Sequence, residues 1–273
     1  MINDIFFQFT MFLYLLSSIF YFLYIGIRRE SLGKIGTWVA FSGFGLNTIG
    51  IVIRYFESHR LGIGYVPLSN MYESMVFFAW AIVGLYLLFE RFWGARSLGA
   101  PIIPLGFLTM GIAILSLSPE IRPLMPALRS DWLFYHVVTS FLGYAAFTIS
   151  FGVSVLYLLK KMNWARNSLL PDHRTLEDIN YKALIVGFLL FTIGIITGAI
   201  WANYAWGTYW SWDPKETWSL ITWIVYAMLL HGRYSGRWMG QKMVYFSIVG
   251  FLAVLFTYWG VNYLISGLHS YAS

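Results

Sequence analysis

Long, nearly uninterrupted apolar segments are the feature of this 273-residue sequence that most constrains its fold. Eight segments have about the 20-residue length that a helix needs to cross a bilayer. A membrane β-barrel would instead show shorter segments of alternating polarity. The sequence therefore predicts an all-α, polytopic membrane helix bundle with about eight transmembrane helices, forming a single membrane domain over 1–273. The predicted segments are 5–26, 36–56, 71–93, 98–118, 132–159, 183–204, 216–231 and 243–266.

The composition agrees with a membrane fold. Charged residues make up 11% of the chain and hydrophobic residues 59%, whereas a soluble domain carries about 25% charged residues. These values exclude an ordinary soluble enzyme, a disordered chain and a nucleic-acid-binding domain. The chain has no Cys, which excludes a disulfide framework, a thiolate metal site and a cysteine nucleophile.

Basic residues predict the orientation of the chain in the membrane. Thirteen of the 18 Lys and Arg residues fall in the loops 27–35, 90–97, 160–182 and 232–242. The positive-inside rule places these loops in the cytoplasm, so that both termini lie on the outer, periplasmic or lumenal, side. The net charge of +6 is thus a topology signal, and we expect no nucleic acid partner. The basic loops fit a bacterial inner (cytoplasmic) membrane and also a thylakoid membrane.

Tryptophan is concentrated at one external loop. Six of the 13 Trp residues lie between positions 201 and 223. An interfacial aromatic belt is the ordinary explanation for a single Trp, but a belt spreads its aromatic residues over all helix ends. The run from Trp206 to Asp213 also contains Gly207, which allows close backbone approach. Flat side chains suit a large, flat apolar ligand such as a porphyrin or a quinone. We therefore predict a ligand-binding loop over 205–218, between the sixth and seventh helices.

The acidic residues that follow the tryptophans have two interpretations. In Asp213-Pro214-Lys215-Glu216, Asp213 can cap the seventh helix, with Pro214 at its first position and Glu216 completing a capping box. The same two carboxylates could instead take part in chemistry. Capping would still serve function, because it would fix the Trp-rich loop against the helix.

The five histidines differ in their predicted positions. His136 begins the fifth helix and His269 follows the last one, so both lie on the side of the Trp-rich loop. Two neutral imidazoles facing one cavity are a natural axial pair for haem iron, although spacing alone does not make these helices neighbours. His231 lies at the cytoplasmic end of the seventh helix and supplies a single ligand, or reaches the interface. His59 and His173 are predicted to be solvated loop residues.

Four segments carry a family resemblance. The run Trp206-Gly-Thr-Tyr-Trp-Ser-Trp-Asp-Pro-Lys-Glu-Thr-Trp218 resembles the WWD signature of haem-handling membrane proteins. Within that superfamily the chain is similar to the CcsA/ResC type of cytochrome c synthase, of the System II pathway. The supporting segments are Val66–Ser74, Leu124–His136 and Tyr226–Arg233. The resemblance covers most of the chain from about residue 36 onward.

The resemblance implies a role for each matching residue. His136 and His269 match the external histidines that ligate haem b, and with Asp213 they are the predicted catalytic residues. His231 matches a membrane-embedded haem ligand, whose partner histidine resides in a companion protein of the CcsB/ResB type. The WWD residues would hold haem with its vinyl edge exposed; they are Trp206, Gly207, Trp210, Trp212, Asp213, Glu216 and Trp218.

The implied activity is that of a holocytochrome-c synthase of the haem lyase type. Haem b, the substrate, would be joined through its two vinyl groups to the Cys-x-x-Cys-His thiols of apocytochrome c, by this chain together with its CcsB-type partner. Alternatives are a haem exporter or chaperone without attachment activity, and a b-type membrane redox protein. No helix carries two His residues, which argues against the last. A solute transporter would need midplane charges, whereas Glu73 lies near the outer end of its helix and is expected to cap or pair.

Overall fold

A computed structural model describes residues 2–162, 169–265 and 267, and among these residues the regular structure is entirely helical. The all-α prediction is therefore confirmed. Helix α8 continues through a π-helical segment, Phe256–Gly260, into a last turn, Val261–Leu264. The main helices are α1 Ile2–Ile27, α2 Glu30–Arg60, α3 Met71–Trp93, α4 Gly99–Ser116, α5 Asp131–Lys161, α6 His173–Trp206, α7 Pro214–Tyr234 and α8 Gln241–Leu255.

Seven helices in the described part of the chain are long and apolar enough to cross a membrane, as expected for a multi-pass membrane protein. Each of the eight predicted segments coincides with a helix in the described part of the chain, but α7 is not among these seven. Its first turn contains Glu216 and its last turn contains His231 and Arg233, so its apolar stretch is shorter than those of the other helices. The membrane side of each terminus stays a prediction.

Several helices extend beyond their apolar segments. The clearest case is α6, which begins at His173, although 173–182 was expected to belong to a cytoplasmic loop. Asp172 caps this helix, because its Oδ1 accepts the Thr175 backbone N–H at 2.7 Å. Hydrogen bonds from the Thr175 side chain and backbone lower the pKa of Asp172. Hydropathy identifies only the apolar part of a helix, so it does not reveal a polar extension that is stabilised by an N-cap.

The described residues form two compact units, and the first comprises the chain up to Pro123 together with Val155–Leu176. On α1, Phe7, Tyr14 and Tyr21 recur every seven residues, and all three side chains are fully buried. The Tyr21 hydroxyl donates to Glu90 Oε2 at 2.9 Å, so a carboxylate of α3 is satisfied inside this unit. Residues seven apart lie on the same face of a helix, so these rings form one buried stripe along α1.

The second unit comprises Leu124–Ser154 and the chain from Glu177 onward. Its interior contains a cluster of hydrogen-bonded polar side chains around Asn180 of α6. The Asn180 amide accepts from Ser150 at 2.7 Å and from Ser247 at 3.3 Å, and donates to Ser154 at 2.9 Å. These bonds join α5, α6 and α8, as interhelical hydrogen bonds commonly do in membrane bundles. The unit contains the predicted site residues that the structure describes.

Candidate functional site

Helices α5 and α6 pack along a seam of small residues in the second unit. A Cβ added to Gly143 would lie 3.0 Å from the Phe191 backbone N and 3.1 Å from the Gly187 carbonyl O, so the two backbones nearly touch. Small residues permit this approach. The facing residues are His136, Ser140, Gly143 and Phe147 of α5, and Gly187, Phe191, Gly194 and Gly198 of α6.

His136 lies at one end of this seam, against the backbone of α6. Its Nδ1 is 2.7 Å from the Gly194 carbonyl O. A carbonyl can only accept a hydrogen bond, so Nδ1 carries the proton and donates. In the neutral ring the Nε2 atom then carries the lone pair, which is the form that binds a metal. The ring also packs on Gly198, where an added Cβ would lie 2.6 Å from Nδ1.

Trp201 connects His136 to the Trp-rich loop. The His136 and Trp201 rings are nearly parallel, at 11°, with centroids 6.0 Å apart. Trp201 contacts Trp206 edge-to-face at 4.8 Å, and its Nε1 donates to the Ala127 carbonyl O at 2.9 Å. The sequence placed Trp201 in the tryptophan cluster but not among the site residues. The spacing of Gly187, Gly194 and Gly198 on α6 was the signal that could have located its neighbours.

The linker between α6 and α7 is shorter than the predicted loop, because 205–206 and 214–218 are helical. Gly207 has φ +78° and Trp212 has φ +59°. The left-handed region is uncommon for a residue with a large side chain and is a mark of functional segments. Trp210 contacts Trp212 edge-to-face at 5.6 Å. The Trp212 side chain is 68% exposed, so this part of the loop offers a flat aromatic surface.

Asp213 and Glu216 form the capping box that the sequence predicted for α7. Asp213 Oδ1 accepts the Lys215 backbone N–H at 2.9 Å. Glu216 Oε2 accepts the backbone N–H groups of Asp213 at 3.3 Å and of Ser211 at 2.8 Å. The structural interpretation of this segment is therefore confirmed, and the box fixes the loop to the helix. Gly267 lies against the Asp213 carboxylate, because an added Cβ would be 2.5 Å from Asp213 Oδ2.

The remaining predicted site residues are distributed along the unit. Trp218 packs on Phe256 with centroids 4.2 Å apart, and its carbonyl O accepts the Thr257 hydroxyl. His231 is exposed in the last turn of α7. At 1.5 Å per residue it lies about 27 Å along α7 from Asp213, at the other end of the helix from the Trp-rich loop. His269 lies outside the described residues.

A cavity of about 540 Å³ opens beside Trp201. Ala127 both lines this cavity and accepts the Trp201 hydrogen bond. Its wall contains a guanidinium group, a carboxylate and two large aromatic rings, so it offers donors, acceptors and apolar surface together. The lining residues are Pro126, Ala127, Arg129, Ser130, Asp131, Trp132, Tyr204 and Ala205.

Within 2–162, 169–265 and 267, no group of three or more His, Cys, Asp or Glu side chains could hold a metal ion. A porphyrin supplies four nitrogen ligands itself, so its iron needs only axial ligands from the protein. One imidazole in a fixed tautomer, beside a row of aromatic rings, fits that requirement.

Comparison with known proteins identifies the family to which the chain is similar. Residues 68–269 match the profile of the family described as Cytochrome C assembly protein. A cytochrome c biogenesis protein CcsA from Guillardia theta is 39% identical over 250 residues, which is 82% of this chain and 81% of that one. The CcsA protein of Mesostigma viride is 35% identical over 292 aligned positions, covering 96% and 92%. That of Chlamydomonas reinhardtii is 43% identical over 229 residues, covering 81% and 64%.

A solved structure has a similar fold. The protein named Cytochrome c Heme Lyase CcmF matches with a TM-score of 0.74 at 16% sequence identity. The match covers 94% of this chain and 46% of that one, so the chain spans less than half the length of that protein. The family match and the extended similarity to CcsA proteins lead to one conclusion: the chain belongs to the cytochrome c assembly protein family and is of its CcsA type.

Proposed function

We propose that this chain holds haem b on the outer side of the membrane and promotes its attachment to apocytochrome c. The observation that carries this proposal is the setting of His136. Its Nδ1 donates to the Gly194 carbonyl O, which leaves Nε2 as the nitrogen that would bind iron, and its ring begins an aromatic series through Trp201 to Trp206. The second axial ligand would be His269, which follows Gly267 by two residues.

The Trp-rich loop would hold the porphyrin. Trp210 and the exposed Trp212 provide flat surfaces, and Gly207 adds no side chain that would keep the ligand from the backbone. The capping box of Asp213 and Glu216 keeps this loop in one conformation relative to α7. Aromatic side chains bind flat apolar ligands through large contact areas at little cost in conformational entropy.

The chemistry requires position more than strong acids or bases. Bound haem supplies two vinyl groups, to which the thiols of a Cys-x-x-Cys-His segment add, each forming an S–C bond while the thiol hydrogen passes to the other vinyl carbon. This chain fixes the imidazole, the aromatic walls and the loop, so that thiols and vinyl groups meet in one geometry. Effective concentrations gained in this way account for large accelerations. The cavity beside Trp201 gives the apocytochrome polypeptide room next to these walls.

We further propose that this chain acts with a membrane partner of the CcsB/ResB type. His231 is exposed in the last turn of α7 and offers one imidazole at that end of the helix. The second axial ligand for a haem bound at His231 would come from the partner. Haem would then be received at His231, on the cytoplasmic side of a bacterial inner membrane or a thylakoid membrane, and would reach His136 on the other side.

The test is the absorption spectrum of the purified, reduced protein, co-expressed with its partner. We expect a sharp Soret band with split α and β bands in the wild type, as for a six-coordinate haem, and a loss of this signal in His136→Ala. The matched control is His59→Ala, because His59 Nδ1 also lies within hydrogen-bond distance of a backbone carbonyl, at 2.8 Å from Tyr55 O, but outside the tryptophan cluster. An unchanged spectrum in His136→Ala would exclude the proposed ligand.

A second experiment separates the two interpretations of Asp213. Asp213→Ala removes the N-cap and is expected to lower stability by about 1 kcal/mol. Asp213→Asn retains a good N-cap but removes the charge, so we expect wild-type thermal stability. If the carboxylate also takes part in attachment, Asp213→Asn will keep its melting temperature and lose holocytochrome formation. Equal holocytochrome yields from wild type and Asp213→Asn would restrict Asp213 to capping.

A further inference from the structure

We propose that Gly194, Gly198 and Trp201 form an imidazole slot on α6 that positions His136 as an iron ligand. This inference rests on the proposed function, because it concerns how the proposed ligand is held. The three residues constrain the ring in different ways. The Gly194 carbonyl accepts from Nδ1, the bare Gly198 backbone admits the ring, and the Trp201 indole lies parallel to it.

The hydrogen bond in the slot fixes the tautomer. With Nδ1–H donating to Gly194, the ligating nitrogen is Nε2, and the ring cannot turn over without losing that bond. A carbonyl that accepts from a ligating imidazole raises its basicity and strengthens it as a ligand. The Thr197 hydroxyl donates to the Ile193 carbonyl O at 2.8 Å and also lies 3.1 Å from Gly194 O, so it shares its one proton between these two carbonyls, and Gly194 O receives part of it beside His136.

The close packing in the slot fixes the position of the ring. An added Cβ at Gly198 would lie 2.6 Å from Nδ1 and 2.8 Å from Cε1 of His136, closer than real Cβ contacts allow. The ring would have to move away from α6, and the hydrogen bond to Gly194 would lengthen. The ring also lies nearly parallel to that of Trp201, whose Nε1 donates to Ala127 O. Gly198 is therefore a positioning residue, which acts on iron through His136.

Gly198→Ala tests the slot, and Gly187→Ala is its matched control. An added Cβ at Gly187 would lie 2.6 Å from the Phe147 ring, so this variant disturbs the same helix seam equally but about three turns from His136. We expect Gly198→Ala to bind haem about 10–100-fold more weakly and to lose the six-coordinate spectrum, as for other changes to groups that hold a metal ligand by a hydrogen bond. Gly187→Ala should keep the six-coordinate spectrum, even if the disturbed seam lowers its melting temperature.

Thr197→Val provides a second test in a variant that introduces no clash. Removing the hydroxyl takes away the longer, shared hydrogen bond to Gly194 O and leaves this carbonyl free to accept more strongly from His136 Nδ1–H. The imidazole then becomes a stronger ligand, and the haem midpoint potential should fall slightly. An unchanged spectrum and potential in both Gly198→Ala and Thr197→Val would overturn the slot. Equal spectral losses in Gly198→Ala and Gly187→Ala would also overturn it, in favour of seam packing. Wild-type haem binding by His136→Ala would instead overturn the ligand role itself, and this inference with it.

Discussion

Replacing Glu73 by Gln is expected to destabilise the first unit by about 3–5 kcal/mol, because it leaves the Arg54 guanidinium buried without its counter-charge. Arg54 Nε lies 2.8 Å from Glu73 Oε1, and the two side chains are 2% and 1% exposed. Arg54 also donates to the Pro119 carbonyl O at 2.9 Å, which ties α2 to the segment after α4. Gln has the size of Glu, so the change tests charge and not volume.

Further hydrogen-bond donors surround the Glu73 carboxylate. It accepts the backbone N–H and the hydroxyl of Ser69, at 3.0 and 2.9 Å, and the Tyr65 hydroxyl at 3.2 Å. Burial, followed by the Glu73 charge, raises the pKa of Tyr65 to about 12, so the phenol remains a neutral donor. The segment Val66–Ser74, which carries part of the family resemblance, thus closes around a buried ion pair. The expectation that Glu73 caps or pairs is confirmed.

Thermal unfolding of the full chain in detergent or nanodiscs measures this effect. The matched control is Glu120→Gln, because Glu120 and Arg122 form an ion pair of nearly the same length, 2.9 Å against 2.8 Å, but are 62% and 70% exposed. Exposed pairs contribute about 0–1 kcal/mol, so the control should melt close to the wild type. If Glu73→Gln melts with the control, the buried pair does not stabilise the first unit.

The helices and the capping box could be predicted from the sequence because both depend on neighbouring residues. Apolar length identifies a membrane segment without knowledge of its partners. Asp213 and Glu216 cap α7 through hydrogen bonds spanning three residues of chain. The boundaries that differed, such as the start of α6 at His173, lie where helices extend into polar sequence.

The setting of His136 could not be predicted in the same way. The sequence identified the histidine and the tryptophan cluster but left open which helices are neighbours. Gly194 is 58 residues from His136 along the chain, and their hydrogen bond exists only because the small residues of α5 and α6 face each other. Glycines at seven- and four-residue spacing on one helix predict a close crossing, but not which helix is crossed. The location of His269 stays a prediction.

Replacing Trp201 by Ala is expected to cost about 3–5 kcal/mol, as for other large aromatic residues removed from a core. Trp201 is only 2% exposed. The change also removes the hydrogen bond to Ala127 O and the ring contacts with His136 and Trp206. We therefore expect two results together, a lower melting temperature and a weaker haem spectrum, because one side chain holds both the segment before α5 and the proposed ligand.

Two further variants separate these effects. Trp201→Phe keeps an aromatic ring but removes the indole N–H, so its hydrogen bond to Ala127 is lost at about 0.5–1.5 kcal/mol while the contact with His136 is largely kept. Trp212→Ala removes an indole that is 68% exposed and should change stability by no more than about 0.5 kcal/mol, yet weaken haem binding if the loop stacks on haem. A Trp201→Ala protein with wild-type stability and spectrum would show that the ring series from His136 to the loop does not hold the site together.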